Sequence, residues 1–437
     1  MVTGFPSVLI GFDWYKSGIT LPQVLQCILL SFVILLAYSV PAAHLGSRTG
    51  QTYGLLSRSA FGKWGSWLVS INLVWVATSW YGLSAIYLAE GLKGLYQWQI
   101  PTAVVAGVLA LVMAFNNFFG FTGIANFARY LAAPILIAWV GYTFLKASFS
   151  CPSAVLSVHP HVSFGSALTS VSAFIVGFSV WGNEADYWRY GKPRMMNSVI
   201  PLVVTLFVGQ LVFPVTGWML ACMTGITDYA SATALMNQYA FGGVTLIAAI
   251  VLAVTYFAMN DSSLYGAINA LENVRDLPRR KVVSLLTLGG VLVAVGLADN
   301  SKGFEIVAAL SSIVLPCATV VMMAEWFIVS RVLNVGADYT RVLSINELPP
   351  LRLPALVALV VGCLIGVATS GIIPGTDAWR VGVCSLQGWL TTLVVYLPLR
   401  LLEHRRQVAR QRQFLEKLTQ LGNEASMASP SVKRGPQ

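Results

Sequence analysis

In this chain of 437 residues, 56% are hydrophobic and only 10% charged, whereas about a quarter of the residues of a soluble domain carry charge. The formal net charge of +10 points to nucleic acid only if the bases form one surface. Here they lie between long apolar runs, which excludes nucleic acid and makes them markers of orientation and of contact with anionic membrane lipids. Cys27, Cys151, Cys222, Cys317, Cys363 and Cys384 are widely spaced with no CxxC pair, so a disulfide framework and a metal centre are excluded too.

Apolar stretches of about 20 residues cross a hydrocarbon core roughly 30 Å thick as helices. They fall at 1–12, 22–46, 67–90, 101–118, 124–146, 167–190, 197–223, 242–270, 282–298, 303–330, 353–372 and 380–399, which predicts an all-α polytopic membrane protein. The first stretch is short for a crossing and begins at Gly4-Phe5-Pro6, a sequence that a regular helix interior does not accommodate. The expectation is an incomplete first span whose other half lies upstream. With the segment at 47–66 placed inside, the outer side keeps only Lys16, Lys93, Lys146, Lys302 and Arg380 of the 27 Lys and Arg, the asymmetry of the positive-inside rule. Residues 1–402 then form a transmembrane domain, and 403–437 a basic, partly disordered cytoplasmic tail that opens with a short helix, HRRQVARQRQFLEKL.

The sixth span, Leu168–Lys192, is interrupted by Gly177, Gly182, Glu184 and Asp186. A carboxylate in hydrocarbon is costly, so this span lines a cavity or the inside of a bundle. Val74–Tyr87 and Leu252–Tyr265 carry the same mixture of aromatic, small and polar residues. Interrupted spans in corresponding halves of a chain point to a binding site at mid-membrane. A planar heterocycle needs faces to stack on, which Trp80, Phe178, Trp181 and Tyr256 offer, and edge groups to read it, which Asn260 and Glu184 offer. Glu184 either faces the cavity or pairs with Arg189, and Asp186 and Arg189 form an inner gate or a structural ion pair. Pro316 in the tenth span is read as a hinge or kink. No catalytic His or Cys constellation is present, so an enzyme is not expected, nor is an organic cofactor.

The stretch Leu45–Leu68, LGSRTGQTYGLLSRSAFGKWGSWL, resembles a loop of the nucleobase:cation symporter family, in particular of bacterial cytosine permeases. Trp80-Tyr81-Gly82, Ala185-Asp186-Tyr187-Trp188-Arg189-Tyr190-Gly191, Asn260-Asp261 with Leu264-Tyr265, and Ala324-Glu325-Trp326 continue the resemblance in the same order. It implies a LeuT-type fold of two inverted five-helix repeats, with helices 1 and 6 broken, followed by two further helices. It also implies a secondary transporter that imports a nucleobase, or alternatively a hydroxymethylpyrimidine, allantoin or hydantoin, through a plasma (bacterial inner) membrane. Trp80, Tyr81 and the sixth-helix aromatics become substrate contacts, and the coupling ion is H+ or Na+. Three departures stand out: Ala253 in place of a substrate-binding Asn, Ala258 and Met259 in place of two Thr, and Glu184 in place of an uncharged residue. The hydroxyls of a sodium site are then missing. Ser262 and Ser263 follow about one turn later, where they reach the same cavity only through a distorted helix, which leaves Asp261 or Glu184 to carry a proton.

Overall fold

The computed structural model describes residues 5–153, 155, 161–298, 300–333, 335, 342–383 and 385–428, and every regular element among them is helical. Helix α1 (Phe5–Lys16) leads into α2 (Leu21–Thr49). The latter starts where Gln23 Oε1 accepts the Thr20 N–H at 3.1 Å, and stops where Gly50 takes φ 67°. Helix α3 (Tyr53–Tyr96) is two helices joined at Gly62, whose φ of 75° suits glycine. The Lys63 and Trp64 N–H groups, released by the kink, donate to the Pro349 and Pro350 carbonyls at 3.0 and 2.9 Å. The segment read as a loop at 47–66 therefore contains a helix from Tyr53, with Thr52 Oγ1 accepting the Leu55 N–H.

Helix α4 (Thr102–Met113) ends in a 3-10 turn, Phe115–Phe119. After it, α5 (Gly120–Phe127) passes through a π turn, Ala128–Ala132, into α6 (Ala133–Ser150). The sixth span is broken as expected, into α7 (Phe164–Ser179) and α8 (Glu184–Trp188). Gly177 stays helical and the break centres on Gly182, with φ 78°. Then come α9 (Met196–Leu206), a π turn at Phe207–Val212, and α10 (Phe213–Thr224). Helix α11 (Tyr229–Phe241) lies where the sequence reading had only a connection. Asp228 caps it by accepting the Ser231 N–H, and the Ser231 backbone and hydroxyl hold the Asp228 carboxyl below the usual carboxylate range. Helices α12 (Thr245–Val274), α13 (Arg279–Gly296) and α14 (Ser301–Met323) follow, α14 running into a π turn at Ala324–Ser330. The last two are α15 (Leu353–Ala368) and α16 (Leu386–Ala428), the latter one helix that continues through the basic segment past Glu403.

Six of these helical runs are long and apolar enough to cross a membrane. Their outward faces carry exposed Val33, Val108, Leu111 and Leu246, as expected of surfaces that meet lipid tails rather than water. Packing follows an inverted repeat: α1 lies on α10 as α7 and α8 lie on α2, and α3 crosses α12 at the centre. Helices α4 and α13 close the α3 side, α14 packs on α3 and α7, and α15 and α16 pack on each other and on α14. The α1–α10 crossing is backbone against backbone. A Cβ on Gly217 would sit 1.7 Å from the Val8 carbonyl oxygen, and one on Gly11 2.0 Å from that of Pro214, the small-residue contact that membrane helices use.

Pro316 sits inside one continuous helical run, and its effect is local. Proline supplies no N–H to the Ser312 carbonyl one turn earlier. Trp389 Nε1 on α16 fills that place at 3.0 Å.

Candidate functional site

The α7–α8 break is held by α14. Thr319 Oγ1 donates to the Gly182 carbonyl at 2.5 Å, and a Cβ on Gly182 would lie 2.5 Å from Leu315 Cβ. Free backbone at mid-membrane needs such partners. On the far side of the break, Glu184 folds back so that its Oε1 accepts the Trp181 N–H at 3.3 Å, and the Tyr38 hydroxyl donates to its Oε2 at 3.4 Å. Glu184 is 3% exposed and forms no ion pair among the described residues.

Trp181 and Trp80 stack, with centroids 5.9 Å apart and planes 28° from parallel. A planar ring between them needs two contacts of about 3.5 Å, or about 7 Å in all. The indoles thus lie within stacking range of each other, and they must part before a planar ring can enter between them. Beside Trp181 is a cavity of ≈ 440 Å³ whose lining includes Ser39, Glu184, Gln210, Phe121 and Trp188 but not Trp80.

Several expected residues are elsewhere. The Tyr81 hydroxyl donates to the Ala110 carbonyl, and its ring packs on Gly290, so it braces α3 against α4 and α13. Asn260 donates to Met113 Sδ at 3.1 Å, and Asp261 accepts from Asn116 and Asn117 at 2.9 and 3.1 Å. Both therefore face the end of α4, whereas the α12 residues on the cavity are Ala258, Met259 and Ser262. Ser262 reaches the cavity without helix distortion because it is four residues after Ala258 and so on the same face. Its hydroxyl is engaged by the Met259 carbonyl at 2.8 Å. Tyr256 is fully buried, and the Phe178 side chain lies outside the described residues.

Asp186 and Arg189 do not form an ion pair among the described residues. Asp186 Oδ1 accepts the Tyr53 N–H at 2.8 Å, at the N-terminus of α3, where the helix dipole favours a carboxylate. Arg189 donates to the Tyr190 and Tyr265 hydroxyls at 2.7 and 2.9 Å, while Phe121 stacks on Tyr190 at 4.5 Å. Sequence reasoning missed Tyr38, Ser39, Thr319 and Gln210, although polar side chains in the middle of apolar spans were a signal available for all four.

Asp261 faces the turn after α4 and does not line the cavity. Asp261→Asn is expected to cost about 1.5–3 kcal/mol through its charged hydrogen bonds, read as a lower Tm, with the KM for uptake within twofold of the parent. A tenfold KM change at unchanged Tm would contradict that placement.

A helix interrupted at mid-membrane beside a cavity, in an inverted-repeat bundle, defines a secondary transporter that moves a small solute past a central site. The chain belongs to the family of permeases for cytosine/purines, uracil, thiamine and allantoin, whose model matches residues 6–386. It is 25% identical over 373 residues to the cytosine permease of Escherichia coli (strain K12), covering 82% of this chain and 81% of that one. It is 22% identical over 376 residues to the purine-uracil permease NCS1 of Arabidopsis thaliana, covering 78% and 62%. Among solved structures, the fold matches Mhp1, a nucleobase-cation-symport-1 family transporter, in its closed conformation with bromovinylhydantoin bound. The TM-score is 0.68 at 16% identity, covering 93% of this chain and 90% of Mhp1. The protein is a multi-span membrane permease of LeuT-type fold.

Proposed function

We propose that the protein imports a nucleobase or a closely related planar heterocycle by alternating access, with Trp80 and Trp181 as the two faces of its clamp and Glu184 at the ring's edge. The observation that carries this reading is the stacked indole pair beside the helix break. The placement of basic residues supports a cytoplasmic C-terminus, and the likeness to a bacterial cytosine permease supports the bacterial inner membrane. Rocking of α1, α2, α7, α8, α9 and α10 against the α3, α4, α12 and α13 layer exposes the site to each side in turn.

A proton is the coupling ion in this reading. The cavity face of α12 has Ala258 and Met259, with Ser262 as its one hydroxyl, so it offers few of the oxygen ligands that a hard cation requires. Glu184 is the cavity-lining carboxyl without a cationic partner among the described residues, and it can load and release a proton as the site changes its access.

The test is uptake into a permease-deficient host, with labelled cytosine, uracil, hypoxanthine, hydroxymethylpyrimidine, allantoin and a hydantoin competing against one another. Saturable uptake of at least one, with counterflow, is the expected result. Absence of saturable uptake for every compound contradicts the reading.

A further inference from the structure

The Glu184 carboxyl has two kinds of contact. Its bond to the Trp181 N–H is made within the break and moves with it, whereas its bond to Tyr38 comes from another helix. Tyr38 is 4% exposed, and its hydroxyl also lies within hydrogen-bonding reach of Thr319, the residue that holds the Gly182 carbonyl. Its ring packs against Trp389 of α16 with centroids 4.8 Å apart and planes at 31°. Trp389 is itself fixed through Nε1 on the Ser312 carbonyl, the one that Pro316 leaves without its helical donor. A continuous row of contacts thus runs from α16 and α14 through α2 to the carboxyl at the break.

We propose that Tyr38 is a positioning residue for Glu184, held by Trp389, so that α16, outside the two five-helix repeats, sets the state of the transport site. The inference rests on the reading of Glu184 as the proton-carrying group. At 3.4 Å the Tyr38–Glu184 contact is longer than an optimal O–H···O bond. A shift of a few tenths of an ångström between α2 and α8 therefore makes or breaks it, while the bond to Trp181 is unaffected. Tyr38 thereby registers the position of the broken helix. Trp389 decides how far the phenol can follow it.

The experiment is infrared difference spectroscopy of the purified full chain in lipid, between acidic and neutral pH, in which a protonated carboxyl gives a C=O stretching band. Glu184→Gln identifies the band by its loss. Tyr38→Phe keeps the ring on Trp389 and removes only the hydroxyl, so the band is expected to move to higher frequency, as a carbonyl does on losing a hydrogen-bond donor. Trp389→Leu, which leaves the hydroxyl but frees the ring, is expected to broaden the band and move it in the same direction. Tyr142→Phe, at an exposed site, leaves it in place. A band lost in Glu184→Gln but unmoved in both Tyr38→Phe and Trp389→Leu overturns the positioning role while leaving the proton reading intact. If no band is lost in Glu184→Gln, the proton reading fails and the inference falls with it. A merely structural role for Tyr38 lowers Tm without moving the band.

Discussion

Trp80→Ala and Trp181→Ala will each weaken heterocycle binding by about 1–3 kcal/mol, roughly 5- to 150-fold, the loss of one stacking face. The two indoles occupy each other in the described conformation, so the ligand replaces one aromatic contact by two when it parts them. Either alanine removes that gain and leaves a ring with one face against a void. Titration of the purified variants, after checking that each is monodisperse, measures the effect. Tyr81→Phe serves as comparison, because its hydroxyl bonds α4 and not the cavity, and its affinity stays within twofold of the parent. Unchanged affinity in both alanine variants contradicts the clamp.

Glu325→Ala is expected to destabilise the protein by about 3 kcal/mol, the cost of removing one partner of a buried ion pair. The Glu325 carboxylate is fully buried in the π turn after α14. It accepts from the Tyr396 hydroxyl at 2.6 Å and pairs with Arg400 at 3.1 Å and Arg352 at 3.4 Å. Arg400 is only 3% exposed, and removing the carboxylate leaves it Glu403, at 3.1 Å, as its remaining acidic partner. The double variant Glu325→Leu with Arg400→Met removes both charges and should recover most of the loss, since an apolar pair can replace a buried ion pair at little cost. Thermal unfolding in detergent measures both. A double variant no more stable than Glu325→Ala would show that the pair is not the source of the loss.

What the sequence revealed depended on how far each signal reaches along the chain. Apolar length marks spans whatever packs on them, so the twelve stretches have helical counterparts, and Gly182 with Glu184 and Asp186 marked the break. The helix at Tyr53 and helix α11 were read as connections because their ends are set by caps, Thr52 and Asp228, and not by a run long enough to cross a bilayer. At the site, Trp80 and Trp181 were legible as candidate faces because each stands among small and polar residues in mid-span, Trp181 next to the break at Gly182. Asn260 and Asp261 misled because a polar pair in mid-span tells that a partner exists but not on which side of the helix. One partner turn, Asn116-Asn117, is 144 residues earlier for Asp261. The expected Asp186–Arg189 pair failed for a similar reason: three residues apart, each found a better partner on another helix, the Tyr53 N–H and the Tyr265 hydroxyl.

Uptake by proteoliposomes under separately imposed gradients tests the central claim, that a heterocycle is carried past the broken helix with Glu184 as the proton carrier. The account predicts accumulation driven by an inward proton gradient at equal sodium on both sides. Glu184→Gln should abolish that accumulation while preserving counterflow exchange of the same compound. Accumulation driven by sodium alone at equal pH, and undiminished in Glu184→Gln, would contradict it.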